Sequence, residues 1–183
     1  LESTFKAGLA YDDYVRTGKP EHQQAWADIH ARGALTDDQR TTIGAFMRRM
    51  RILVSRGTWC GDCIQQLPFL DHIERASDMI EVRYVDRDEH IEYANRVQLC
   101  GGLRVPVVVF MNEDWDFMAL FGDRCLSRYR AMAQKYLGPA CPVPGAPVPD
   151  DEIASQRADW VNECERVHLM LRMSTKLRER YSD

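Results

Sequence analysis

The sequence has no apolar run that approaches the ~20 residues needed by a membrane-spanning helix. Nor does it begin with a charged segment followed by an apolar one, which is the pattern of a secretory leader. We therefore expect a cytoplasmic protein with no membrane partner. Because the first residue is Leu1 rather than methionine, a leader removed before it is kept as an alternative.

Positive charge is not in excess either. The 183 residues hold 24 Lys and Arg against 28 Asp and Glu, which gives a net charge of -4. Nucleic-acid binding rewards clustered positive charge, so we expect no nucleic-acid partner. The sequence also has no phosphate-binding glycine loop, no Ser/His/Asp order typical of hydrolases and no internal repeat. The chemistry must therefore come from another motif.

Cysteine occurs six times, but only one pair has the spacing of a known motif. The remaining four share no spacing typical of metal ligands and are Cys100, Cys125, Cys141 and Cys164. A chain of this length with one such pair is not a disulfide framework. We expect no structural disulfide network and no metal site.

That pair lies in the sequence Thr-Trp-Cys-Gly-Asp-Cys at residues 58–63, directly after an apolar run at residues 52–54. After it, apolar side chains recur at steps of three, at Ile64, Leu67, Leu70 and Ile73, which predicts a helix. The motif is therefore predicted where a strand ends and a helix begins. The free N–H groups and positive potential of a helix N-terminus favour a thiolate at Cys60, and the thiolate is the nucleophile in disulfide exchange.

Other positions give this region the pattern of a known family. Trp59 precedes the first cysteine, Pro68 follows the second by five residues, and Val105-Pro106 opens an apolar strand. A glycine, Gly122, precedes the last predicted helix of this region. Over roughly residues 50–137 the chain resembles the thioredoxin-like superfamily, and specifically a divergent bacterial group with a Trp-Cys-Gly-Asp-Cys motif.

The resemblance implies a thiol–disulfide oxidoreductase that needs no cofactor beyond its own dithiol. Cys60 is expected to attack a substrate disulfide, and Cys63 is expected to resolve the mixed disulfide. The reducing direction is favoured. The partners it implies are a protein or small-molecule disulfide substrate and an electron donor whose identity the sequence does not give.

The substrate is expected to meet four residues around the dithiol. Trp59 is expected to cover one flank, Val105 to offer its backbone to the substrate, and Pro106 to follow a cis peptide bond. Arg104 is expected to lie within several ångströms of Cys60, where its charge would lower the pKa of that thiol.

Two departures from the family concern charge. Thioredoxins carry a buried acid six residues before the first cysteine, where this chain has Val54, and its lysine partner aligns with Val82. Asp62 stands between Gly61 and Cys63 and is expected to point into water while opposing the Cys60 thiolate. Asp62 therefore argues against a strongly oxidising protein.

The predicted fold is α/β and thioredoxin-like, with a central mixed sheet flanked by helices. We predict a helical extension at residues 1–50, a core at 51–137, a proline-rich linker at 138–149 and a helix at 150–183 that packs on the core, all in one domain. In the extension, we predict one helix up to residues 17–18 and a second from Pro20 to Ala31. A capping-box pattern with Thr36 as N-cap and Gln39 as its partner predicts the start of a third helix, which continues to Met50.

Three alternatives remain at this stage. The fold could serve as a non-catalytic interaction module in which the two cysteines are incidental. Cys60 and Cys63 from two chains could also bridge zinc in an oligomer. Finally, the apolar stripe of the C-terminal helix could form a dimer, because a single stripe fits either packing on the core or self-association.

Overall fold

The computed structural model describes residues 1–137 and 151–182, so the predicted linker at 138–149 lies outside the described residues. In chain order the elements are α1 (Glu2–Ala7), α2 (Tyr11–Arg16), α3 (Pro20–Arg32), α4 (Asp37–Gly44), β1 (Met50–Arg56), α5 (Gly61–Arg75), β2 (Ile80–Asp86), α6 (Ile91–Arg96), β3 (Val107–Met111), β4 (Phe117–Gly122), α7 (Leu126–Leu137), α8 (Glu152–Met173) and α9 (Thr175–Tyr181).

The four strands form one mixed sheet in the order β2-β1-β3-β4. β1 and β2 are parallel, whereas β3 is antiparallel to both β1 and β4. Helices flank this sheet, so the predicted α/β class is confirmed. Alternation at residues 80–86 and the apolar run at residues 107–111 each predict a strand. These strands are found as β2 and β3, in which most residues are buried.

Alternation along β1 divides the interior into two clusters. Ile52 and Val54 face one side of the sheet and pack with α3, α5 and α8, while Leu53 faces the other side. The first cluster is the larger and includes both cysteines of the motif. The dithiol is therefore built against the main core.

The first helix predicted from the sequence is two helices. α1 ends at Ala7 and α2 begins at Tyr11, and between them Leu9 exchanges two backbone hydrogen bonds with Tyr84 of β2, at 2.9 and 2.8 Å. The apolar residues that suggested one helix instead pack on two different surfaces. Phe5 of α1 lies in the smaller cluster, while Tyr11 and Tyr14 of α2 lie in the main one.

The third predicted helix is correct at its start and wrong at its end. Thr36 and Gln39 form a capping box, with the Gln39 N–H donating to the Thr36 hydroxyl and the Gln39 amide accepting from the Thr36 N–H. The helix then stops at Gly44, and Met50 is the first residue of β1. Apolar residues continue at helical spacing across this break, which is why the pattern overextended the helix.

The C-terminal segment packs back on the chain. Its apolar stripe, Trp160, Val161, Cys164, Val167 and Leu171, is buried in the main core cluster. Asp151 caps α8 by accepting the Ala154 N–H at 2.9 Å, and a second helix, α9, follows at Thr175. The stripe on which a dimer was considered is thus covered within the chain. Within residues 1–137 and 151–182, no helix is both long enough and apolar enough to span a bilayer.

Candidate active site

The first cysteine of the motif stands at the entrance to α5. Cys60 is the N-cap residue with extended backbone angles, and its sulfur accepts the backbone N–H of Cys63 at 3.4 Å. The loop before it is anchored by Trp26, whose indole N–H donates to the Thr58 carbonyl at 3.2 Å. The sulfur therefore lies where the unpaired N–H groups of a helix N-terminus converge.

A second loop approaches this sulfur from β3. The Val105–Pro106 peptide bond is cis, and the Cys60 thiol donates to the Val105 carbonyl oxygen at 3.5 Å. Gly122 supports the loop from behind with φ of 142°, where a Cβ would collide with the Pro106 carbonyl oxygen. The glycine noted in the sequence thus permits a close backbone approach next to the site.

The environment of Cys60 lowers the pKa of its thiol to about 7. The hydrogen bond from Cys63 is the largest contribution, and the backbone N–H groups of Cys63 and Asp62 act in the same direction. Burial and the nearby Asp62 charge oppose them, since the side chain is only 8% exposed. A substantial fraction of Cys60 is therefore thiolate at neutral pH.

Cys63 behaves in the opposite way. It is fully buried, and burial raises the pKa of its thiol well above the ordinary value. The hydrogen bond to Cys60 and the charge of Cys60 raise that pKa further. The backbone of Gly57 and the charge of Arg56 lower that pKa. The two cysteines are both free thiols and are thus separated into a reactive one and a protonated one.

Trp59 lies on the outer flank of the dithiol, with 52% of its surface exposed. Its ring lies over Gly57, where a Cβ would come within 2.8 Å of it, and Arg87 stacks on it with the guanidinium carbon 5.2 Å from the ring centre. Arg87 also donates to the Leu103 carbonyl at 3.2 Å. The sequence did not single out Arg87, because it follows a strand and reads as a solvated residue.

Asp62 does not point into water as the sequence suggested. Its carboxylate pairs with Arg124 at 2.6 Å and with Arg128 of α7 at 3.0 Å, and Arg128 also pairs with Glu152 at the start of α8 at 3.0 Å. Two guanidinium groups compensate the charge that was expected to oppose the Cys60 thiolate. The variable residue of the motif is also a structural link to the C-terminal helices.

Arg104 was expected to face Cys60, but its guanidinium turns to Asp123 at 3.1 Å. Asp123 lies before α7, and its carboxylate also accepts from Arg124 and Tyr129. Burial raises the pKa of Asp123, but the hydrogen bonds from Tyr129 and Arg104 prevail and hold it below the ordinary value. The guanidinium of Arg104 is therefore paired with a buried carboxylate.

Gln66 is a buried polar residue that sequence reasoning missed. Its amide N–H₂ donates to the carbonyls of Asp62 and Asp123, both at 3.1 Å, and its oxygen accepts the Cys125 N–H at 2.8 Å. One side chain thus joins the first turn of α5 to the loop that leads into α7. The feature of the sequence that could have identified Gln66 is its position one turn after Cys63, beside apolar residues.

β1 carries Val54 at the position where the family has its buried acid. Val54 lies opposite Tyr84 rather than Val82, which pairs with Ile52. Two residues further along the same face of β1, Arg56 is buried and 2% exposed. A charged residue does lie behind the dithiol, but it is a cation. The alternation of β1 was the signal that could have placed it inside.

No group of three or more His, Cys, Asp or Glu side chains within residues 1–137 and 151–182 is arranged to hold a metal ion. Around the dithiol the side chains that meet are thiols, an indole and ion-paired arginines. This set suits exchange between sulfur atoms, in which a thiolate attacks a disulfide and no further group is required.

A family model described as Thioredoxin matches residues 8–136, more than two thirds of the chain. The chain belongs to the thioredoxin family. The matched range starts at residue 8 and therefore includes α2, α3 and α4 as well as the sheet. The resemblance proposed from residues 50–137 is confirmed, and the fold is thioredoxin-like. A comparison with curated proteins finds no match.

Two solved structures with TM-scores above 0.5 share this fold. A crystal structure of PA1234, a protein of unknown function from Pseudomonas aeruginosa, is 20% identical with a TM-score of 0.65 and covers 90% of this chain and 93% of that one. An HIV epitope-scaffold is 21% identical with a TM-score of 0.62, covering 91% and 92%. Thioredoxin 3 from Saccharomyces cerevisiae mitochondria is 21% identical with a TM-score of 0.35, covering 51% and 86%.

The family, the fold and the neighbouring cysteine pair together support a thiol-redox role for this thioredoxin-family chain. The two structures with TM-scores above 0.5 each cover about nine tenths of this chain, so the shared fold extends over most of it. At about 20% identity they establish the fold and leave the activity to be argued from the site.

Proposed function

We propose that this protein is a thiol–disulfide oxidoreductase that reduces protein or small-molecule disulfides through Cys60 and Cys63. One observation carries the proposal: the Cys60 sulfur caps α5 beside the Val105 carbonyl with its pKa at about 7, while Cys63 stays protonated next to it. Nucleophile and resolving thiol thus differ in ionisation before the reaction begins.

In the proposed reaction, the Cys60 thiolate attacks one sulfur of the substrate disulfide, and the other sulfur leaves as a thiolate. Cys63 then loses its proton and attacks Cys60, which releases the second substrate sulfur and leaves a Cys60–Cys63 disulfide. An electron donor that carries thiols returns the pair to the dithiol. The substrate would lie between Trp59 and Val105, against Pro106, with Arg104 at the rim. A reducing compartment such as the cytoplasm suits this direction.

Turnover of a model disulfide tests the proposal. We expect the wild-type protein to reduce insulin in the presence of dithiothreitol, and Cys60→Ser and Cys63→Ser to be inactive. Cys63→Ser should accumulate a mixed disulfide that dithiothreitol releases, whereas Cys60→Ser should not. If both variants trap equally, the assignment of roles is wrong.

The same variants separate the alternatives. An interaction module would bind its partner with both cysteines replaced by serine and would not turn over insulin. A zinc-bridged oligomer would carry metal when purified without chelator and would lose its assembly in the double serine variant. Either result would overturn the redox proposal.

A further inference from the structure

Arg56 is a buried cation that the reaction described above does not use. It is the last residue of β1 and is 2% exposed. Alternation puts it on the face of the strand that carries Ile52 and Val54, which pack in the cluster that contains Cys63. The strand therefore directs a permanent charge to the side of the sheet on which the active-site helix lies.

Arg56 is held between an aromatic ring and one carboxylate. Its guanidinium lies over the ring of the buried Tyr14, and its nearest carboxylate, on Asp86, is 3.6 Å away. Burial lowers the pKa of Arg56 to about 10, so the group remains a cation at neutral pH. Among the described residues, nothing accepts a hydrogen bond from its Nε.

A cavity of about 210 Å³ adjoins this group. Its polar lining includes Arg56, Thr58, Tyr84, Asp86 and His90. Since one water occupies about 30 Å³, the cavity has room for several molecules and enough polar partners to hold them. Water here would solvate the guanidinium of Arg56.

The charge of Arg56 acts on the second cysteine. Arg56 and Cys63 interact electrostatically and in the direction that favours the Cys63 thiolate, and the thiol also meets the backbone of Gly57, the residue after Arg56. The ionisation of Cys60 depends instead chiefly on Cys63 and Asp62. Different charged groups therefore affect the ionisation of the two thiols.

We propose that Arg56 is a positioning residue whose charge stabilises the Cys63 thiolate while that thiolate resolves the mixed disulfide. This inference rests on the proposed function. It also assigns a charge of opposite sign to the strand on which the family's usual acid is missing, two residues after that position. An acid would accept the proton of the second cysteine, whereas a cation lowers the cost of the thiolate that remains after water accepts that proton.

The assisted step balances as follows. The Cys63 thiol gives its proton to water, and the resulting thiolate attacks the Cys60 sulfur of the mixed disulfide. The Cys60–Cys63 bond forms as the bond between Cys60 and the substrate sulfur breaks. The substrate leaves as a thiolate and takes a proton from solvent. Two electrons pass from the protein dithiol to the substrate over the whole cycle, and no further reactant is needed.

The size of the effect follows from two opposing dependences. Each unit by which the pKa of Cys63 rises cuts its thiolate fraction about tenfold at a pH below that pKa. The more basic thiolate is a better nucleophile, with a Brønsted slope of about 0.5, so the net loss in rate is about threefold per unit. The loss should shrink as the pH approaches the pKa of Cys63.

One equivalent of 5,5′-dithiobis(2-nitrobenzoate) resolves the two steps in a stopped-flow experiment. The first thionitrobenzoate released reports attack by Cys60, and the second reports resolution by Cys63. Replacing Cys100, which is exposed, and Cys141 by serine limits the reaction to the dithiol. At pH 7 we expect Arg56→Met to slow the second phase at least threefold and to leave the first unchanged, with partial recovery in Arg56→Lys.

Asp86→Asn should change the rate of the second phase in the opposite direction, which a merely structural role of Arg56 would not predict. Removing the partner carboxylate leaves the cation less compensated, so the second phase should accelerate. Arg51→Met, at the other end of β1, is the matched control and should alter neither phase. An Arg56→Met second phase at the wild-type rate, or slowing in Asp86→Asn, overturns the inference about Arg56 alone. Absence of any second phase in the wild type overturns the proposed function itself.

Discussion

Arg87 stacks on Trp59, with the guanidinium carbon 5.2 Å from the ring centre, and its charge acts on the adjacent Cys60. Arg104, which stands next to the cis-proline loop in sequence, instead pairs with Asp123. We therefore expect Arg87, rather than the arginine nearest in sequence to the loop, to act on the thiolate. The two side chains make a matched pair for testing which cation matters.

We expect Arg87→Gln to raise the pKa of Cys60 and to slow its alkylation at neutral pH by about two- to threefold. Arg104→Gln should leave the alkylation profile unchanged. The measurement is the rate of iodoacetamide alkylation of Cys60 as a function of pH, in each single variant. A larger effect from Arg104→Gln than from Arg87→Gln would return the role to Arg104.

Asp62→Asn should change Cys60 in the other direction. Its charge raises the pKa of Cys60, so its removal should lower that pKa below about 7 and increase alkylation at acidic pH. Because the same carboxylate holds Arg124 and Arg128, the variant should also melt at a lower temperature. An unchanged alkylation profile with a lowered melting temperature would restrict Asp62 to a structural role.

The reduction potential should lie at the reducing end of the family. The pKa of Cys60, about 7, is the value typical of thioredoxin and far from the ~3.5 of a strong oxidant, so the reduced form gains little extra stability as a thiolate. We expect a potential of about -270 mV rather than about -120 mV. Titration in glutathione and dithiothreitol buffers, with quantification of free thiols, measures it. Two thiols that persist in every oxidising buffer would contradict the prediction.

Gly122→Ala should be costly although the residue makes no side-chain contact. Its φ of 142° disfavours any side chain, and a Cβ would collide with the Pro106 carbonyl oxygen. We expect a loss of about 1–3 kcal/mol in unfolding free energy, together with slower insulin reduction as the loop at Val105 is displaced. Gly61→Ala is a suitable control, since a Cβ there would meet no atom within 4 Å.

His168 should make stability depend on pH. Its Nε2 accepts the Met47 N–H at 3.0 Å and its ring stacks on Phe46 at 4.0 Å, so the neutral form holds α8 to the segment before β1. Burial, followed by the charge of Arg172, lowers the pKa of His168 in the folded protein.

Because the pKa of His168 is lower in the folded protein than in the unfolded chain, its contribution to stability is fully present above the unfolded pKa of about 6.5. That contribution declines as the pH falls from there toward the folded pKa. Urea unfolding at pH 7.5 and pH 5.5 should therefore show a larger loss for the wild type than for His168→Gln, which keeps an acceptor but does not titrate. Equal losses in the two proteins would rule out His168 as the source.

The sequence predicted backbone elements better than the fate of side chains. β2 and β3 are long apolar or alternating segments, and their burial follows from pattern alone. The prediction that the third helix continues to Met50 was wrong. Apolar residues keep a helical spacing beyond Gly44, although the helix ends there and the chain enters β1 at Met50. Likewise, Tyr11 and Phe5 fit one helix in pattern but pack on different surfaces.

In the candidate site, too, positions along the chain were predicted better than side-chain contacts. The motif located Cys60 and Cys63, and the family pattern located Val105 and Pro106. The alternation of β1 could have indicated that Arg56 is buried, but no pattern in the sequence shows which group each of Arg56, Arg87 and Arg104 contacts. Their different roles arise from contacts with residues 14, 59 and 123, which are distant along the chain.

The bridge between Leu9 and Tyr84 has a consequence for association between molecules. β2 is an outer strand, and its free backbone groups would form a template for a strand from another copy. Leu9 occupies part of that edge with its own two hydrogen bonds. A chain shortened to begin after residue 10 would expose the edge, and size-exclusion chromatography should then reveal concentration-dependent oligomers that the full chain does not form.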